Sequence, residues 1–206
     1  MLTLYGRVTS INVQKVLFAL GEMNLAFERI DAGLQYGVVG TSEYRAMNPN
    51  ATVPTIVDDG FVLWESNAII RYLAAKHAAG GLWPENARKR ADADRWMDWQ
   101  GVELTPAMRN AFWHLIRTPA DKRDAAAIDA SRQQTETKMA ILDKQLAGHR
   151  YVTGDALTVA DLALGPAAHR WLNLPLKREP RPNIERWYQA LMQRPAAQRA
   201  LPLPIL

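Results

Sequence analysis

Apolar and polar positions change their spacing several times along this chain, and each change marks an element. Leu2-Thr3-Leu4-Tyr5 alternates and then meets Gly6, which predicts a short strand and a loop. From Val13 the apolar residues Val13, Val16, Leu17 and Leu20 fall at helical spacing with Gln14, Lys15 and Glu22 between them. That is an amphipathic helix ending near Asn24. Phe27 to Ile30 predicts a second strand, and strand, helix, strand in this order implies a parallel pair with a right-handed crossover. The stretch from Asp31 to Met47 contains Gly33, Gly37 and Gly40 and reads as a loop covering one side of a ligand site. A hairpin follows, with a strand opened by Pro54, a turn at Asp58-Asp59-Gly60, a second strand to Trp64, and a helix start at Glu65-Ser66.

Ala79-Gly80-Gly81-Leu82-Trp83-Pro84 interrupts the pattern and separates a unit over 1–79 from one over 86–206. Beyond it only helical spacing occurs. Asn86 to Arg117 is rich in Ala, Arg, Trp, Met and Leu and is interrupted by Pro106, so it reads as one long bent helix or as two. Ala125 to Leu146 places Met139, Leu142 and Leu146 at core spacing, with Gly148 after its end. Thr158-Val159-Ala160-Asp161 is a capping-box start flanked by Leu157 and Leu162 as a hydrophobic staple. Ile184, Trp187, Tyr188 and Leu191 repeat after Pro182, and Pro195 opens a last short helix. The expected architecture is a small α/β unit followed by an all-α unit.

Composition narrows the chemistry. At 206 residues and 48% hydrophobic the chain can bury one large core or two small ones. No run approaches the ~20 apolar residues of a membrane span, and the chain reads as cytosolic and cytoplasmic. It has no cysteine, which excludes disulfides, thiolate metal sites and a protein thiol nucleophile. Any thiol must be imported. The formal charge of +4 is spread along the chain rather than gathered in a block, which argues against nucleic acid and for anionic small molecules. The histidines His77, His114, His149 and His169 have no metal spacing, so no metal is expected.

The candidate chemistry lies between Asn48 and Ile70. Pro54 has no N–H, so the backbone of Val53 is available to pair with a ligand's peptide group. Glu65 and Ser66 stand where the first helical N–H groups lack partners and the helix dipole favours a carboxylate. This run, Asn48-Pro49-x-x-x-Val53-Pro54 followed by Glu65-Ser66 and an apolar helix, resembles the glutathione site of the glutathione S-transferases. The resemblance covers essentially the whole chain and is nearest to bacterial serine-type or theta-like members. It implies a thioredoxin-like first domain and an all-α helical second domain. It also implies that the proline is cis, that Val53 pairs with the cysteinyl unit, and that Glu65 and Ser66 hold the γ-glutamyl end.

The same resemblance assigns Ser10 as donor to the glutathione thiolate and Asn12 as a second donor, in the loop Thr9-Ser10-Ile11-Asn12 before the first helix. A thiol with a pKa of about 8.5 is only a few per cent ionised at neutral pH, so a donor bond and a helix dipole suffice to activate it. Thr9 is the near rival by one residue of register, and a serine before a helix is also an ordinary cap. Tyr5 falls in the first strand and is not assigned. Relatives carry Lys or His ahead of the Val-Pro pair and a polar side chain in the preceding loop, whereas this chain has Ala51-Thr52 and Val38-Val39. The glycyl end would meet backbone near Val39, or Gln35. The pocket for an electrophile would use Met108, Phe112, Trp113 and Arg117. Glutathione is expected as co-substrate, and a homodimer through Ile69, Ile70, Leu73, Trp96 and Trp99 is expected, a monomer covering them with its own second domain being the alternative. A non-catalytic binding module and a glutathione-dependent peroxidase or disulfide reductase are the other functions compatible with these residues.

Overall fold

The computed structural model of the chain describes residues 1–205. Strand β1 (Leu2–Tyr5) lies between the parallel β2 (Glu28–Ile30) and the antiparallel β3 (Thr55–Asp58), and β4 (Phe61–Trp64) pairs with β3 at the edge. The order β2-β1-β3-β4 sets Leu4 opposite Ile56, and both are fully buried. The hairpin turns on Asp59 (φ 48°) and Gly60 (φ 88°), the pair of positive φ angles that a two-residue turn of matching twist requires. β3 begins at Thr55 rather than at Pro54, because Thr55 is the first residue there with an N–H to donate.

Two helices cover the sheet, α1 (Ile11–Glu22) and α3 (Ser66–His77). Val13, Val16 and Leu20 of α1 join Leu4, Ile56, Ile69 and Leu73 in one cluster. The opposite face of α1, with Ile11, Phe18 and Ala19, enters a second and larger cluster built by the later helices. α1 is therefore buried on both sides, and the expected polar face is absent: Gln14 and Lys15 are 5% and 2% exposed. Gln14 is satisfied by donating to the Val8 carbonyl at 3.0 Å.

The segment expected to be a loop contains a 3-10 turn (Leu34–Tyr36) and a short helix α2 (Ser42–Met47). Thr41 starts α2 by accepting from the Tyr44 N–H at 3.2 Å. The three glycines all precede this helix, so they did not prevent it.

The helical half begins with α4 (Ala87–Trp99), capped by Asn86, and continues through a π turn (Gln100–Leu104) into α5 (Thr105–Phe112) and a second π turn (Trp113–Arg117). The helix is thus neither stopped nor divided at Pro106. The wider turn just before it accommodates a ring that would otherwise press on the carbonyl four residues back. α6 (Ala125–Leu146), α7 (Val159–Leu172), α8 (Pro182–Met192) and α9 (Pro195–Ala200) complete the chain. α7 is central and starts at the expected capping box. The fully buried Asp161 accepts from the N–H groups of Thr158 (2.9 Å) and Val152 (3.0 Å) and from the Trp187 indole (2.9 Å), joining three segments at one carboxylate. Burial nonetheless pushes its pKa up to about 6.

The two halves are tightly joined. A Cβ on Gly21 of α1 would lie 2.8 Å from the Ala196 Cβ of α9, and Arg194 grips Glu22 through Nε and Nη2. Arg71 of α3 bridges Asp94 and Asp98 of α4. Ile69, Ile70 and Leu73, expected to help form a dimer face, are fully buried within the chain, and Trp96 is 8% exposed. α3 lies between the sheet and the helical cluster and spends its apolar residues there.

Candidate active site

The loop from β1 to α1 ends at Ser10, the N-cap of α1, in extended conformation (φ −86°, ψ 122°). A serine in this place ordinarily gives its oxygen to an N–H of the first turn. Here the Ser10 side chain makes no such bond. Its backbone is fixed instead, donating to the Arg7 carbonyl at 3.2 Å and accepting from the Gln14 N–H at 2.9 Å. Thr9, Ser10 and Asn12 all line one cleft, so the structure does not separate the two hydroxyls by access.

Opposite this loop runs the segment before β3. The Val53-Pro54 bond is cis, and Ala51 holds φ 52°. Asn48 braces the segment by donating to the Thr52 carbonyl (3.0 Å) and to Thr55 Oγ1 (3.1 Å), while the Tyr44 hydroxyl donates to the same carbonyl at 2.7 Å. Among the described residues no loop backbone hydrogen bond uses Val53, which lines the cleft with its own N–H and C=O unspent. Pro54 is buried behind it.

β4 leads to the N-terminus of α3. Glu65 is exposed and takes φ 70°, ψ 111°, outside the regions a side chain ordinarily allows. Such a conformation costs on the order of 1–3 kcal/mol and is retained where the surroundings impose it. The next residue, Ser66, is 5% exposed, and its Oγ accepts a hydrogen bond from Lys15 Nζ at 3.4 Å. Lys15 also donates to Asn67 Oδ1 at 3.2 Å. Burial lowers the Lys15 pKa from 10.5 to about 7, with Glu65 opposing the fall and Arg170 and Arg71 adding to it. Because Ser66 Oγ accepts from Lys15, its own hydroxyl hydrogen is left to be donated elsewhere, and the first N–H groups of α3 have no partner within the helix.

The cleft has a volume of about 530 Å³. One wall is the β1–α1 loop; Val39 and the segment Ala51 to Val53 make another; Met108, Phe112, Trp113 and Arg117 form the third. Glu65, Ser66 and Pro54 stand outside its lining, and so does the exposed Gln35. The four residues expected on the electrophile side are brought together, with Trp113 half exposed and Phe112 buried.

Three features escaped the sequence. Arg7 and Arg170 join Arg117 in the cleft; the Arg170 guanidinium lies 3.8 Å from the centre of the Phe112 ring, and that of Arg117 5.6 Å from it. Burial, then Arg117 and Arg7, pulls the Arg170 pKa down to about 9, and burial with Arg117 lowers that of Arg7. Lys15 was hidden because it was counted as surface on a helix that has none. Its signal was Ile11, Phe18 and Ala19, a second apolar face on the same helix. Tyr44 supports the Val53 segment from a helix that the glycines obscured, joining Asn48 at that helix's end.

A four-stranded mixed sheet, a helix that starts at Ser10 and the Ala51 to Val53 segment before a cis proline on one cleft, with a second helix N-terminus outside its lining and a helical unit after it, defines a thioredoxin-like site roofed by helices. Residues 4–81 match the family model for the glutathione S-transferase N-terminal domain, and residues 125–190 that for the C-terminal domain. The chain is 44% identical to glutathione S-transferase GstB of Escherichia coli over the full length of both, and 33% identical to glutathione S-transferase 3 of Zea mays over 98% of this chain and 96% of the other. The solved theta-class glutathione S-transferase of Xanthomonas axonopodis pv. citri with glutathione bound superposes with a TM-score of 0.96, at 40% identity over 100% of this chain and 99% of that one. The chain belongs to the glutathione S-transferase family.

Proposed function

We propose that this glutathione transferase couples the glutathione thiolate to a small electrophile in the cleft between its two units, the division falling between 1–79 and 86–206. Ser10 donates a hydrogen bond to the thiolate, and Asn12 supplies a second donor. The Val53 backbone pairs with the cysteinyl unit. Glu65 and Ser66 take the amino and carboxylate groups of the γ-glutamyl end, with Lys15 orienting the Ser66 hydroxyl. The glycyl end lies toward Val39 and Ala51. Met108, Phe112, Trp113 and Arg117 face the electrophile.

The observation that carries this reading is Ser10, a helix-capping serine whose side chain is withheld from the cap and stands in the cleft that Val53 also lines. The hydroxyl and the α1 dipole together favour the ionised thiol. The sulfur then attacks carbon, the leaving group departs with its electron pair, and the thiol proton passes to solvent. Nothing else is asked of the protein, which suits a chain without cysteine.

We infer a cytoplasmic setting and a homodimer as well. The support for pairing is the apolar surface left at the sheet edge, where Phe61 and Trp64 of β4 are 49% and 36% exposed. Calorimetric titration with glutathione, followed by a panel of electrophiles read by halide release or absorbance, tests the reaction. Binding and turnover are expected; a protein that binds no glutathione would overturn the assignment.

A further inference from the structure

A hydroxyl on the electrophile wall is aimed by a residue buried behind it. Thr105 opens α5, is half-buried, and lines the cleft together with Met108 and Phe112, which follow it at helical spacing and share its face. A helical threonine commonly donates its hydroxyl to the carbonyl four residues back, as Thr135 does to Ser131 at 2.7 Å and Thr137 to Gln133 at 3.1 Å. Among the described residues Thr105 does not; its Oγ1 accepts from Gln100 Nε2 instead. The first π turn sets up this pairing, because it carries the Thr105 N–H to the carbonyl of Gln100, one residue further back than an α-helix would. Gln100 is fully buried, and its Oε1 has no hydrogen-bond partner among the described residues. A buried amide oxygen left bare costs stability that an apolar residue of the same size would not, so the bond to Thr105 is what the glutamine adds. A hydroxyl that accepts from an amide still has its own hydrogen to give. Its neighbours Met108 and Phe112 cannot take it, and the occupant of the cleft can.

We propose that Thr105 donates a hydrogen bond to the activating oxygen of the electrophile, with Gln100 as the positioning residue that aims it, so that the preferred second substrates are carbon–carbon double bonds conjugated to a carbonyl. This rests on the glutathione transferase reading and adds the substrate class. The thiolate sulfur, its proton already passed to solvent, bonds to the β carbon. The double-bond pair shifts toward the carbonyl and leaves negative charge on its oxygen, and the α carbon then takes a proton from solvent. The sum is addition of sulfur and hydrogen across the double bond. A donor at that oxygen is worth most when the charge has formed, so Thr105 acts on the transition state more than on the bound substrate. An alkyl halide has no such oxygen and draws nothing from it.

The test compares two substrates, the enone benzylideneacetone and benzyl chloride, at saturating glutathione in wild type, Thr105→Val, Thr105→Ser and Gln100→Met. Calorimetric titration of each variant with glutathione checks that it is folded. Thr105→Val, which keeps the shape and removes the hydroxyl, is expected to lower kcat/KM for the enone at least about tenfold more than for the chloride, with the loss in kcat rather than KM. Thr105→Ser should restore most of the enone rate. Gln100→Met should lower the enone rate relative to the chloride rate in the same direction by a smaller factor, whereas a loosened helix would lower both alike. Equal losses with the two substrates in Thr105→Val, or an enone rate that survives it, overturns the proposal. If Thr105→Val instead raises the pKa of the bound glutathione thiol, read by thiolate absorbance, and slows both substrates together, the hydroxyl serves the sulfur and the proposal fails. A wild type that turns over benzyl chloride but not the enone refutes the substrate class alone; one that turns over neither and binds no glutathione refutes the transferase reading and takes the proposal with it.

Discussion

Replacing Lys15 by Met separates a structural cost from a functional gain at the same atom. Lys15 is 2% exposed and its pKa stands near 7, burial being the main cause. In the unfolded chain the ammonium titrates near 10.5, so between pH 7 and 10.5 the unfolded state holds a proton that the native state releases. Stability therefore rises with pH across that window, and the penalty for charging Lys15 is fully present below it. The whole drop is worth about 5 kcal/mol, of which roughly 2 kcal/mol is recovered between pH 7 and pH 9. Urea unfolding followed by tryptophan fluorescence at those two pH values should show wild type gaining about 2 kcal/mol relative to Lys15→Met. The methionine variant should be at least as stable at pH 7, since an apolar chain of similar length avoids the desolvation. It should also bind glutathione more weakly, because Ser66 loses the donor that orients it. Parallel pH dependence in the two proteins would refute the buried-ammonium argument.

Other consequences can be checked as directly. Asp161→Ala orphans the N–H groups of Val152 and Thr158 and the Trp187 indole, and should cost about 3–5 kcal/mol by urea unfolding; a loss below about 1 kcal/mol would contradict the hub. Ser66→Ala should weaken glutathione binding by about 1–3 kcal/mol in calorimetry, and equal affinities would remove Ser66 from the site. Sedimentation at micromolar concentration should show a species near twice 23.1 kDa that is lost on changing Trp64 to Asp; a monomer in wild type would refute pairing.

How far the sequence led depended on whether a residue's surroundings were local. The hairpin, the Asp161 box and the helix from Ala125 to Leu146 follow from turn chemistry, caps and spacing, all within a few residues of one another. The run from Val53 to Ser66 was legible for the same reason. What escaped depends on contacts distant in the chain. Lys15 appeared to be a surface residue because its helix was judged against the sheet alone, while α7 and α9 cover the other side. Ile69 and Leu73 suggested a partner chain because α1 and the sheet had not yet been placed against them, and Ile70 because the helical cluster had not. Arg7, Arg117 and Arg170 meet only after folding, Arg7 standing more than a hundred residues before the other two.

The state of the glutathione thiol when bound tests the central claim most directly. Ultraviolet thiolate absorbance of the complex, titrated with pH, should give a pKa below the free value of about 8.5 for wild type and a return toward that value in Ser10→Ala. A bound thiol with an unshifted pKa, or a shift that survives Ser10→Ala and disappears in Thr9→Ala, would contradict the role given to Ser10.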